Sequence, residues 1–150
     1  MGSLKDFKIV KNFLNKDEIN LISMYCEISH RNNIKKFDRS HLTNNADSSY
    51  YADYLAESLL LNKKNIMEKE SGLKLLPTYS FWRTYTKYAT LIKHKDRPSC
   101  EISVTVSIAN DGTDWPIFMN NKKVILKPGE AAIYRGCDVK HHREELLGDY

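Results

Sequence analysis

The chain has 150 residues, 41% apolar and 28% charged, with 23 basic residues against 19 acidic ones and a pI near 8.9. That length suits one domain, 1–150, able to bury about two-thirds of its unfolded surface. The net charge of +4 is scattered rather than blocked, which argues against nucleic acid. No apolar run approaches the ~18 residues that span a bilayer, and residues 1–10 carry no leader pattern, so a cytoplasmic location with no membrane partner is expected. Cys26, Cys100 and Cys137 stand at no Cys-x-x-Cys spacing; neither a disulfide framework nor a zinc finger is indicated, and reduced, mostly buried thiols are expected.

In chain order, the first feature is the apolar segment FKIV at 7–10. Asn15 stands three residues ahead of Glu18, a helix-start signal, and Ile19, Leu21, Ile22, Tyr25 and Ile28 recur behind it. The spacing predicts a helix over 16–29. Residues 31–45 are polar and aperiodic and read as a loop, a candidate lid. A second helix of about 22 residues is predicted from Ser48 or Ser49, with Tyr51, Leu55, Leu59, Ile66 and Met67 on one face and a stop at Gly72, where glycine suits a left-handed cap.

From Leu75 the period changes. Residues 78–88 are aromatic and β-branched, 101–109 alternate Ile102, Val104, Val106 and Ile108 with Ser103, Thr105 and Ser107, and 124–126 and 131–134 are short apolar runs. NDGT at 110–113, Asn120-Asn121 and KPGE at 127–130 are turn sequences between them, the first a second candidate lid. The expectation is α+β: a helical part, 1–74, with its two helices packed outside one sheet, and a strand-built part, 75–150, forming a sandwich, jelly roll or barrel.

His94 and Asp96 follow a strand two residues apart, so an imidazole and a carboxylate share a face. A histidine at the end of a later strand, His141, would complete two imidazoles and one carboxylate on one face of an octahedral ion, leaving three positions open. A chance His-x-Asp arises in about one such chain in four, so spacing alone leaves a competing reading in which these are polar strand ends.

The context is more specific. YSFWRTY at 79–85, HKDRPSCEIS at 94–103 and LKPGEAAIYRGCDVKH at 126–141 resemble the Fe(II)/2-oxoglutarate-dependent oxygenases of the prolyl-hydroxylase-like branch, small bacterial and phage-encoded members above all. The resemblance covers nearly the whole chain, because Phe13-Leu14 with its helix and GLKLLP at 72–77 are similar to that family's entry region.

The resemblance implies a double-stranded β-helix, jelly-roll or cupin-like, in the cytoplasm of a bacterial or phage-infected cell. It implies His94, Asp96 and His141 as catalytic Fe(II) ligands, and Fe(II), 2-oxoglutarate and, as an accessory, ascorbate as cofactors. It implies O2 and an unidentified small-molecule or peptide substrate as partners, with hydroxylation yielding succinate and CO2. Strand alternation separates His141 from His142, which stands where the family often has an aromatic residue, and puts Arg143 beside His141. Arg143 is thereby a candidate for the far carboxylate of 2-oxoglutarate, against a rim arginine paired with Glu144 or Glu145. Tyr85 stands where relatives place a tyrosine against the cosubstrate. It shares a face with Tyr79, Phe81 and Arg83, which makes Arg83 a second anion candidate, whereas Phe81 and Trp82 read equally as core aromatics.

Two departures from the family pattern stand out. Residues 87–93 replace a glycine-containing turn, and the chain reaches Tyr150 before the further strand that often carries the basic anchor for 2-oxoglutarate, so an unpaired sheet edge is expected. The competing functions are a shortened, non-catalytic metal- or ligand-binding jelly roll, and a basic interaction module with incidental histidines.

Overall fold

The structure is a computed structural model that describes residues 4–32 and 43–150, with the backbone alone at 44–47. Strand β1 (Phe7–Val10) leads into helix α1 (Lys16–Asn32). The helix opens on a reciprocal cap: Glu18 N donates to Asn15 Oδ1 at 2.9 Å and Asn15 N donates to Glu18 Oε2 at 2.8 Å. It runs past the predicted end at 29, with His30 and Arg31 complementing its C-terminal dipole.

The single second helix predicted from residue 48 does not form. Thr43–Tyr51 is strand β2, and helix begins only at Tyr54, behind Asp53, whose Oδ1 accepts from Leu55 N and Ala56 N at 3.1 and 3.3 Å. Tyr50 pairs across the ladder with Trp82, their rings stacked at 4.2 Å; that cross-strand contact outweighs the weak helical recurrence around Tyr51. The remaining segment is two helices, α2 (Tyr54–Asn62) and α3 (Lys64–Ser71), separated at Lys63. The buried Lys63 bonds both carboxylate oxygens of Glu18 at 2.7 and 2.8 Å, which ties the break to the start of α1. Gly72 closes α3 in the left-handed conformation at φ 72°, as predicted. The expected helical part, 1–74, therefore also contributes two strands. The proposed loop 31–45 lies outside the described residues at 33–42, and its last residues belong to β2.

The remaining strands are β3 (Phe81–His94), β4 (Ile102–Val106), β5 (Ile117–Met119), β6 (Lys122–Val124), β7 (Ala131–Arg135) and β8 (His141–Arg143). They form two antiparallel sheets, ordered β1-β7-β4 and β2-β3-β8-β5-β6. Central strand β7 is buried on both faces. Ala131 and Ile133 join Phe13, Leu14, Ile22 and Met67 beneath the helices, while Ala132 and Tyr134 meet Ile117, Met119 and Val124 of the five-stranded sheet. The helices thus cover the outer face of the three-stranded sheet, and its inner face stacks on the other sheet. Strand β4 obeys the same division: Val104 pairs with Ile133 on the helix side, Ser103 with Tyr134 on the inner side.

Residues 87–93 carry β3 onward to His94. Tyr88 takes a positive φ of 70°, and Tyr88 N and Ala89 O bond Leu146 O and N at 2.8 and 2.9 Å. The register slips between Leu91, opposite Arg143, and His94, opposite His141. That bulge makes the two histidines cross-strand partners.

Candidate metal centre

His94 ends β3, His141 begins β8, and Asp96 lies just beyond β3, its N–H donating to Gly136 O at 2.9 Å. Asp96 Oδ1 is 3.7 Å from His94 Nε2 and 3.6 Å from His141 Nε2, and one donor atom from each residue lies within 4.8 Å of the others. The remaining polar atoms of the three are engaged elsewhere. Nδ1 of His94 bonds Ile92 O at 2.7 Å, Nδ1 of His141 bonds Val139 O at 3.1 Å, and Asp96 Oδ2 accepts from Ser103 Oγ at 2.7 Å. A proton on each Nδ1 leaves each Nε2 lone pair aimed at the shared space, the arrangement that metal-ligating imidazoles need.

His141 is 3% exposed, and burial pulls its pKa below the usual imidazole range, with the Val139 carbonyl and the Asp96 charge opposing. Burial therefore favours the neutral, ligating form. Tyr134 stands edge-on to the His141 ring at 5.0 Å, and burial, reinforced by Asp96, pushes its phenol well above the usual range. His142 is on the other face, stacked on Phe118 at 5.0 Å, and does not join the cluster.

The cluster opens onto a cleft of about 2070 Å³ whose lining includes Tyr85, Ser103, Trp115 and Arg143. Arg143 lies over the Trp115 ring at 4.5 Å, and its guanidinium donates to Trp115 O at 2.6 Å. Among the described residues no carboxylate pairs with it, so the rim pairing with Glu144 or Glu145 does not form. Burial lowers its pKa from a very high starting point, which leaves it a cation. Tyr85 meets the same Trp115 edge-on at 4.8 Å, and Arg83 donates to the Tyr85 hydroxyl at 3.4 Å while lying 4.5 Å over Phe81. Phe81 is 42% exposed, a rim residue rather than a core aromatic, whereas Trp82 is held against Tyr50.

Trp115, Ser103, Tyr134 and Gly136 escaped the sequence reading of the site. Only the polar half of the alternation at 101–109 could have pointed to Ser103. The turn 110–113 is not a free flap: Asp111 accepts from Thr113 N at 2.9 Å and from Asp149 N at 2.6 Å.

No family model matches the chain, and no curated protein matches it. Among solved structures it is similar to a prolyl-4-hydroxylase from Pseudomonas putida, with a TM-score of 0.72 over 93% of this chain and 85% of that one at 13% identity. It is also similar to OsALKBH1, with a TM-score of 0.62 over 97% of this chain and 88% of that one at 12% identity. At such identities the likeness is one of fold: the chain is an α+β protein built on the double-stranded β-helix that these neighbours share.

Proposed function

We propose that the protein is an Fe(II)- and 2-oxoglutarate-dependent dioxygenase of the prolyl-hydroxylase-like kind that hydroxylates a small-molecule or peptide substrate. The observation that carries this is the convergence of two Nε2 atoms and Oδ1, with every other side-chain polar atom of His94, Asp96 and His141 bonded away from the shared space. Two neutral imidazoles and one carboxylate suit a divalent ion of intermediate softness and leave half of an octahedron free. Bound there, iron would supply the activation of O2 coupled to decarboxylation of 2-oxoglutarate to succinate and CO2.

The protein's part is placement. Arg143, held against the Trp115 ring and by the Trp115 carbonyl, offers its half-buried guanidinium to the far carboxylate of the 2-oxo acid, with the Tyr85 hydroxyl and Arg83 as further donors. The Trp115, Tyr85 and Tyr134 rings line this wall with apolar surface.

Succinate formation and O2 uptake with Fe(II) and 2-oxoglutarate test the reading. Both are expected in the wild type and lost in His94→Ala; Arg143→Ala is expected to weaken 2-oxoglutarate binding roughly 30-fold or more. Iron bound by the wild type while added 2-oxoglutarate alters neither its spectrum nor O2 consumption would sink the oxygenase reading and leave a metal-binding jelly roll.

A further inference from the structure

We propose that Ser103 is a positioning residue that confines Asp96 to a single donor atom, and so keeps one coordination position open that a two-oxygen carboxylate would close. The inference rests on the metal-binding reading above and deepens it. Ser103 belongs to β4, in the three-stranded sheet, whereas the two histidines belong to the five-stranded sheet, and Asp96 lies in the connection between β3 and β4, so its carboxylate is bonded from the sheet that the histidines face. Two acceptors compete for its one proton, Asp96 Oδ2 at 2.7 Å and Cys100 O at 3.2 Å. The carboxylate wins, because it is both nearer and charged.

With Oδ2 held, Oδ1 is the oxygen left facing His94 and His141. Freed, the carboxylate could rotate and present both oxygens to the ion, leaving two open positions where three protein donor atoms leave three. A bidentate 2-oxo acid and O2 require three.

The backbone around this contact leaves no slack. Gly136 O accepts from Asp96 N, and Gly136 N donates to Glu101 O at 3.0 Å. A Cβ at Gly136 would fall 2.6 Å from Asp96 Oδ2, 2.8 Å from Ser103 Oγ and 2.2 Å from Cys100 O. Glycine is therefore required where the two sheets close on the carboxylate.

Cobalt(II) is the probe: titration gives affinity, and the visible spectrum reports coordination number without turnover. Ser103→Ala is expected to change the affinity for Co(II) by about 10-fold or more, in either direction, and to shift the spectrum of the bound ion toward a higher coordination number as the second Asp96 oxygen joins it. A crystal structure of the Co(II)-loaded wild type, which needs no variant to fold, is expected to show Asp96 bound through Oδ1 alone with the Ser103 hydroxyl on Oδ2. Wild-type affinity and spectrum in Ser103→Ala, or Asp96 bound through both oxygens, would overturn the role of Ser103 while leaving the metal centre standing. A wild type that binds no Co(II) would overturn both.

Discussion

The two sheets differ in regularity, and the difference follows their duties. In the three-stranded sheet β4 and β7 pair without a slip from Ile102 opposite Arg135 to Val106 opposite Ala131, and β7 is buried on both faces. In the five-stranded sheet the register breaks twice between β2 and β3 and again between Leu91 and His94, and Tyr88 within β3 takes a positive φ. Regular pairing makes a floor on which helices can pack. Irregular pairing re-aims side chains, and the slip beside His94 is what sets it opposite His141.

If the floor serves stability and the interrupted sheet serves ligation, substitutions should separate the two. Ile133 is fully buried at the centre of β7, so Ile133→Ala should cost about 2–5 kcal/mol in urea unfolding. Metal affinity of the folded variant should stay within about twofold of the wild type, since Ile133 packs beneath the helices, on the face of β7 opposite Tyr134 and the histidines. A large loss of affinity in that folded variant would break the division. Gly136→Ala strikes a place where the sheets meet over the carboxylate; the added methyl group would fall 2.2 Å from a backbone oxygen. A cost of about 1–3 kcal/mol is expected there, together with weaker Co(II) binding, because carboxylate and backbone must move together. Stability lost without any change in Co(II) affinity would show that Gly136 supports the floor alone.

The same division explains what could be read from the sequence. Asn15 with Glu18, the Gly72 cap and the alternation at 101–109 are local signals; the first two appear where their chemistry predicts, and the third as strand over Ile102–Val106. The pairing of His94 with Asp96, and the preference for His141, needed only strand alternation and a family likeness. Strand β2 was hidden because its partner lies thirty or more residues away and its own residues suit a helix start equally well. Ser103 was hidden for a different reason. A polar residue alternating with apolar ones reads as solvent-facing unless it is known that helices cover the apolar side, which turns the polar side toward the cleft. Trp115 sits outside any periodic segment, and its place against Arg143 and Tyr85 depends on the whole sheet being assembled.

The smallest effect expected is at His142, and it sharpens the comparison most finely because its neighbour is a proposed ligand. His141 turns Nε2 toward Asp96 at 3.6 Å; His142, on the opposite face, stacks on Phe118 with the two rings 16° from parallel, and its buried Nδ1 has no hydrogen-bond partner among the described residues. A buried, unpartnered ring nitrogen costs free energy that a phenyl ring of similar shape does not. His142→Phe should therefore leave Co(II) affinity within about twofold and raise stability by at most about 1 kcal/mol, since the stacking surface is kept. Titration and thermal melts on the same preparation read both quantities. A tenfold loss of metal affinity would mean that the face assigned by strand alternation is wrong at β8, and the ligand set would have to be redrawn around His142.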